Sequence, residues 1–289
     1  MVAIRRLCLS GCGWLFPFHV GVLSYLKAHH IVNTSTVLSG VSGGALVAAG
    51  EASGLTEEEM MSVAANIVHR LSVDGAAAGS GGNRSSNGSI RDVWGHMSPL
   101  VEAALTQGLP EDAHTKANGR ISIAVTAVSN DESYFVPFLS CLPMSPKNIW
   151  REPMLFGESA DLHFTSKKDL IQGCLASSHI PFYMDGQFSK TWRNRSWVDG
   201  GMRDILPTVP LMDQHSVMKS LPYDIMTLFR NDVDTIITPG RKEFKLLSEL
   251  LPWTFAPSQN IDNLYRLRDV GYVSAERFIQ RQQQQHGGE

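Results

Sequence analysis

Four cysteines in 289 residues (Cys8, Cys12, Cys141 and Cys174) are too few and too irregularly spaced for a disulfide-stapled scaffold or a zinc pattern. Free thiols in a reducing compartment are the simplest reading. Charge of either sign is also scarce. The 25 Lys and Arg against 28 Asp and Glu leave a net charge of -3, without the basic excess of a nucleic-acid binder. Long hydrophobic runs are missing too. Arg5 and Arg6 precede an apolar stretch from Leu7 to Tyr25, but Gly11, Gly13, Pro17 and His19 interrupt it, and no small-residue cleavage site follows. A membrane span needs about 20 predominantly apolar residues, so the stretch is expected to belong to the fold. The four sequons at Asn33, Asn83, Asn87 and Asn194 then carry no expectation of glycosylation. There is no internal repeat.

What the chain does have is enough apolar content, 43%, for a large core, with 18% charged residues and ordinary Gly and Pro. The first fifty residues read as strand, glycine turn, helix, strand, turn, helix. Ile4–Leu9 and Ser35–Leu38 are the strands, and Phe18, Val22, Tyr25 and Leu26 recur at helical spacing after Pro17. Such a βαβα start predicts an open, mostly parallel sheet with helices on both faces. Thr56 followed by three glutamates starts a helix expected to end near Leu71, and the Gly, Ala, Ser and Asn of 74–89 predict a flexible loop. Further helices are expected over Met97–Thr106, Lys167–Ser178 and Arg266–Arg281. Strands are expected over Arg120–Val128, Tyr134–Leu139 (its hairpin partner), Ser196–Val198 and Asp224–Phe229. Together these give one domain over 1–279 and a disordered polar tail over 280–289.

Three segments carry chemistry. Gly40-Val41-Ser42-Gly43-Gly44 is G-x-S-x-G between a strand and a helix, the context of a nucleophile elbow; the bland alternative is a plain Gly/Ser turn. Gly11-Cys12-Gly13 can aim backbone N–H groups at an anion. No Gly-Lys-Ser/Thr follows it, and Phe16 fills the third glycine position of a dinucleotide fingerprint, so an oxyanion hole fits better than a phosphate cradle. Asp199-Gly200-Gly201 ends a strand; its glycines let the carboxylate approach another group, although alone it reads more often as a tight turn. Ser42 requires a base. His215 lies in a polar surface-like stretch, while His19 and His179 suit packing or turn roles, which leaves a Ser42–Asp199 pair as the better candidate.

Together these segments resemble the patatin-like phospholipase family. The resemblance runs through Leu9–Gly13, His19–Val22, Gly40–Gly44, Ala176–Pro181 and Val198–Pro207, in order and spacing, over about the first 210 residues. The Gly-Cys-Gly start followed by His-Val-Gly-Val is similar to the branch containing animal triacylglycerol lipases and adiponutrin. The resemblance implies a three-layer α/β/α fold and hydrolysis of acylglycerol or phospholipid esters by a Ser–Asp dyad, without metal or cofactor. Ser42 would be the nucleophile, Asp199 its base, and Gly11, Cys12 and Gly13 the oxyanion amides. Gly40, Gly43, Gly44, Gly200 and Gly201 would be the motif glycines. One departure stands out: the family's next glycine is replaced here by Phe16, followed by Pro17.

The expected partner is a lipid at a membrane or lipid-droplet surface, reached from the cytoplasm by peripheral association; no nucleic acid is expected, and the sequence sets no oligomeric state. The apolar stretch over 246–257 reads as a lid, or more readily as core packing. Two other functions share the pattern. A weakly active lipid-binding relative would owe its inactivity to Phe16, and a general carboxylesterase would prefer short soluble esters.

Overall fold

A computed structural model of the chain describes residues 4–77, 94–128, 155–160, 163–203, 205, 217–223, 235–240, 243–244, 249, 251–258 and 260–286. Its first half follows the predicted alternation. Strand β1 (Arg6–Leu9) passes through a 3-10 turn at Gly13–Leu15 into helix α1 (Pro17–Ala28), which Pro17 opens without losing a hydrogen bond. Strand β2 (Val37–Val41) leads into α2 (Gly43–Ala52). This strand lies further along than the expected Ser35–Leu38 because Gly40, which reads as a turn residue, sits inside it. A Cβ there would come within 2.5 Å of the Gly44 carbonyl oxygen, so only glycine lets α2 fold back onto its own strand.

Helix α3 (Glu57–Ala77) opens with a reciprocal capping box: Glu59 N–H donates to Thr56 Oγ1 at 3.2 Å and Thr56 N–H to Glu59 Oε2 at 2.7 Å. It runs past Leu71 to Ala77, into the predicted loop, the rest of which lies outside the described residues. Next come α4 (Met97–Gly108), α5 (Ala113–Ala117), β3 (Ile121–Val128), β4 (Leu155–Ala160) and α6 (Lys167–Ser177). They are followed by β5 (Lys190–Trp192), β6 (Arg195–Asp199), β7 (Val217–Ser220), β8 (Ile236–Ile237), α7 (Leu251–Phe255) and α8 (Ile261–His286). The expected strands at Tyr134–Leu139 and Asp224–Phe229 lie outside the described residues. Helix α8 continues to His286, through the segment from 280 for which the sequence predicts a disordered tail.

The eight strands form one sheet in the order β5-β6-β3-β2-β1-β7-β8, with β4 also on β3. The run β3-β2-β1-β7-β8 is parallel, whereas β4, β5 and β6 pair antiparallel. Consecutive residues Leu7, Cys8 and Leu9, and Leu38 to Val41, are all buried, so the central strands are covered on both faces, as in an α/β/α sandwich.

The register on β3 places the two halves of the site. Val41 pairs with Ala124 and Asp199 with the next residue, Val125. Strand β4 pairs with these same two residues through Ser159 and Glu158 and so takes the opposite edge. Strands β2 and β6 therefore lie end to end along one edge of β3, with their C-terminal ends facing.

Helix α8 closes against α1 at backbone contact. A Cβ on Gly21 would lie 1.8 Å from the Arg268 carbonyl oxygen, and one on Gly271 2.0 Å from that of Phe18. Leu264, Leu267, Gly271, Ala275 and Phe278 recur every three or four residues and form the buried stripe of this contact. Gly271→Val would force the helices apart. The expected loss is more than about 2 kcal/mol of unfolding free energy, and an unchanged denaturant midpoint would refute this packing.

Candidate active site

Ser42 follows β2 directly and caps α2, with φ 52° and ψ -123°. A non-glycine residue at positive φ is strained, and this one is held from both sides. Its N–H donates to Ser177 Oγ at 3.0 Å, and that hydroxyl donates in turn to the Ala124 carbonyl at 2.6 Å. Its carbonyl accepts from Ala45 and Leu46 as the first bonds of α2. Gly44 is pressed against Leu9 and Ser10, and Gly43 against Gly13, so neither site has room for a side chain. The serine is 7% exposed.

Asp199 ends β6 and is almost as enclosed, at 5%. Its N–H donates to the His179 carbonyl at 2.8 Å, and its Oδ1 accepts from Gly201 N–H at 2.6 Å. Oδ2 is buried with no well-aligned partner among the described residues. Burial pushes this carboxyl up to about 6; the nearby Ser42 hydroxyl and the Gly201 amide pull the other way and offset only part of that shift. The structure thus brings Ser42 and Asp199 together from positions 157 residues apart.

The Gly11–Gly13 loop lies beside them. Its three amides are not equivalent. The Gly11 N–H donates to the Ile205 carbonyl at 2.6 Å, which corrects the expectation that it faces the reacting centre. Among the described residues no protein acceptor takes the Cys12 or Gly13 amide. The Cys12 carbonyl is fixed by Tyr223 Oη, 3.3 Å away, which also shares a 2.9 Å hydrogen bond with Thr254 Oγ1. Gly13, at φ 52°, accepts the backbone of α7 against it: a Cβ would stand 1.9 Å from the Thr254 carbonyl oxygen. The Cys12 thiol is raised by burial and then by the neighbouring Asp199 charge, so it stays protonated.

The histidines take other roles. His19 is fully buried, and burial lowers it to about 4. Its Nε2 faces the Ser10 carbonyl at 3.1 Å, so Nε2 carries the proton and Nδ1 accepts from Ser220 Oγ at 2.7 Å. It thereby ties α1 to the ends of β1 and β7. His179, just beyond the end of α6, faces the Gln187 carbonyl at 3.2 Å. Both are structural, as their sequence setting suggested. His215 lies outside the described residues.

A cleft opens from this centre. It holds about 930 Å³ of empty space, open mouth included, and is lined by Gly13, Ser42, Gly43 and a long apolar wall. Val47 from α2, Met60, Val63 and Ile67 from α3, and Val101 and Leu105 from α4 form most of that wall, with Phe16 and Tyr183 nearer the loop segments. The few polar wall groups suit a hydrocarbon chain rather than a charged ligand. Phe16, the departure in the glycine loop, is one of these wall residues and is 8% exposed. Of the stretch at 246–257, residues 246–248 and 250 lie outside the described residues, and the rest divides. Trp253 and Ala256 are buried, Thr254 reaches the cleft, and Leu251 and Phe255 face outward.

Sequence reasoning missed Ser177, Tyr223 and Thr254. Ser177 stands in the Ala176–Pro181 segment but has no local signature, because its hydroxyl acts on backbone groups 135 and 53 residues away. Tyr223 and Thr254 belong to segments that carry no motif.

The raised pKa of Asp199 has a consequence for stability. A carboxyl near 3.8 when unfolded and about 6 when folded contributes nothing well below pH 3.8, where both states are neutral. It becomes destabilising as pH rises from 4 to 6, by about 3 kcal/mol once fully ionised. Asp199→Asn, which keeps an acceptor for Gly201, is expected to unfold at a higher temperature than wild type at pH 8 but not at pH 4. Equal differences at both pH values would refute the buried, ionisable carboxyl.

The patatin-like phospholipase family model matches residues 7–212. A human 1-acylglycerol-3-phosphate O-acyltransferase is 27% identical over 95% of this chain and 50% of its own length. Patatin-like phospholipase domain-containing protein 2 of Rattus norvegicus is 30% identical over 73% of this chain and 37% of its own. The human patatin-like phospholipase domain-containing protein 4 is 24% identical over 95% of this chain and 96% of its own. The chain thus spans half or less of the length of the first two relatives and nearly all of the third. Among solved structures, VipD from Legionella pneumophila aligns over 96% of this chain and 67% of its own with a TM-score of 0.47 and 11% identity. With the family model covering most of the chain, and the serine and aspartate segments both inside it, the protein belongs to the patatin-like phospholipase family.

Proposed function

We propose that the chain is a lipid acyl hydrolase that cleaves carboxylic esters of acylglycerols or phospholipids through Ser42 and Asp199. The observation that carries this reading is a strained serine at the head of an apolar cleft, with a buried, partly unpaired carboxylate beside it. In the first half-reaction Asp199 accepts the hydroxyl proton as Ser42 Oγ attacks the ester carbonyl. The developing oxyanion is held by the Cys12 and Gly13 amides, which no acceptor takes among the described residues, beside the N-terminus of α2. Collapse expels the alcohol, which takes the proton back from Asp199 and leaves the acyl group on the serine. Water, deprotonated by the same carboxylate, then releases the fatty acid.

The partly desolvated state of Asp199 suits this role. Its raised pKa makes it a stronger base than an exposed carboxylate while leaving it ionised near neutrality. The cleft would hold the acyl chain, and its apolar wall favours long chains over short soluble esters. Two relatives are named for acyl transfer, the acyltransferase above and a human omega-hydroxyceramide transacylase. An alcohol in place of water at the second step would give that outcome from the same acyl-enzyme. Among the described residues no helix is long and apolar enough to cross a membrane, so the substrate is proposed to be met by peripheral contact.

The deciding experiment measures fatty-acid release from triacylglycerol, phospholipid and lysophospholipid by wild type and Ser42→Ala. Release by wild type that falls by on the order of 10⁴-fold or more in a folded Ser42→Ala protein is the expected result; comparable release by both would overturn the assignment. The kcat/KM of wild type should rise tenfold per pH unit below about 6 and level above it, because Asp199 must be ionised. A flat profile between pH 4.5 and 8 would remove Asp199 as the base. Phe16→Leu, which trims the wall next to the glycine loop, is expected to raise the rate on branched or bulky acyl chains relative to straight ones. An unaltered acyl profile would show that Phe16 does not shape the bound chain.

A further inference from the structure

Eight large apolar side chains are exposed among the described residues, and five of them (Trp94, Phe182, Phe188, Leu251 and Phe255) belong to three segments that also line the cleft. Trp94 leads into α4, whose Met97 lines the cleft. Phe182 lies between the wall residues Ile180 and Tyr183, with Phe188 packed on it at a ring separation of 5.8 Å. Leu251 and Phe255 flank the wall residue Thr254 on α7.

Hydrogen bonds fasten the three segments to one another. Gly95 N–H donates to the Tyr183 carbonyl at 2.7 Å and Ser98 N–H to that of Met184 at 2.8 Å, and the Tyr183 hydroxyl donates to the Phe255 carbonyl. The Trp94 ring stands edge-on to Tyr183, with centroids 5.7 Å apart.

Phe182 is the telling member. It is 45% exposed and sits at φ 63°, a conformation that costs a bulky side chain energy. A tight turn holds it there: Phe182 N–H donates to the Gln187 carbonyl at 2.8 Å, and Gln187 N–H to Asp185 Oδ1 at 3.0 Å. An asparagine or glycine would take this backbone shape without strain, so neither the turn nor the core calls for phenylalanine.

We propose that these five side chains form an insertion rim by which the protein docks on a lipid surface, with the cleft mouth against the lipid. This deepens the hydrolase reading and rests on it. Aromatic side chains favour the boundary between acyl chains and headgroups, and three mutually fastened segments that also line the cleft would seat its mouth there. An acyl chain could then pass from the lipid into the cleft without crossing water.

The test uses the full chain with phosphatidylcholine vesicles and, separately, a water-soluble four-carbon aryl ester. The variant Phe182→Asn/Phe188→Ser removes two rim aromatics, touches no cleft-lining residue and relieves the strained turn. The expected result is at least a tenfold loss of vesicle binding by sedimentation, with turnover of the soluble ester within twofold of wild type. Tryptophan quenching by lipids brominated on the acyl chain should fall in Trp94→Phe, as only an inserted Trp94 would require.

Vesicle binding that survives the double variant, or wild type that fails to bind vesicles, would overturn the rim. Equal loss of binding and soluble-ester turnover would also overturn it, by showing a structural role. Failure of wild type on every ester would instead sink the hydrolase reading, and vesicle binding would be read independently of that result.

Discussion

The meeting of two strand ends on β3 is the constraint from which the rest of the site follows. Val41 and Asp199 occupy adjacent pairing positions, Ala124 and Val125, so the residues following β2 and ending β6 must share one small volume. Space there is so limited that a Cβ on Gly200 would stand 2.4 Å from the Ala124 carbonyl oxygen. That carbonyl also accepts from Ser177, whose hydroxyl receives the Ser42 amide. A single peptide group on the central strand thus anchors the serine's backbone and abuts the turn that follows the aspartate.

Crowding of this kind has an electrostatic cost. Asp199 loses water on burial and recovers only part of that solvation from the Gly201 amide and the serine hydroxyl, which leaves its carboxylate more basic than an exposed one. The same shift weakens the fold whenever the group is ionised. The surrounding framework must absorb that deficit, and its means are visible: central strands covered on both faces, a neutral buried His19 bridging β1 and β7, and α8 pressed backbone to backbone on α1. Stability is generated where no reaction is proposed and spent at one carboxyl.

Much of this could be read in the chain. The opening βαβα rhythm, the capped start of α3 and the long apolar run of β3 are local patterns, set by residues within a few positions of one another. The G-x-S-x-G segment and the Asp-Gly-Gly turn are equally local, since each needs particular residues at adjacent positions to free a backbone for close approach. Where reading failed, the missing information was not local. Gly40 reads as a turn residue, yet belongs to a strand because a helix four residues later packs on it. The Gly11 amide looks equivalent to those of Cys12 and Gly13 until Ile205 claims it from 194 residues away.

The sequence by itself determined the opening βαβα order, the strand-to-helix turn at Ser42, the glycine loop and the packing or turn settings of His19 and His179, because each follows from backbone freedom or side-chain chemistry at neighbouring positions. Only the tertiary structure decided that Asp199 lies beside Ser42, that Ile205 takes the Gly11 amide, that Ser177 and Tyr223 hold the two backbones in place, and that Phe16 faces a cleft. Strand register and burial are properties of the assembled sheet. They depend on which strands pair and how far each is shifted, and no window of consecutive residues contains either.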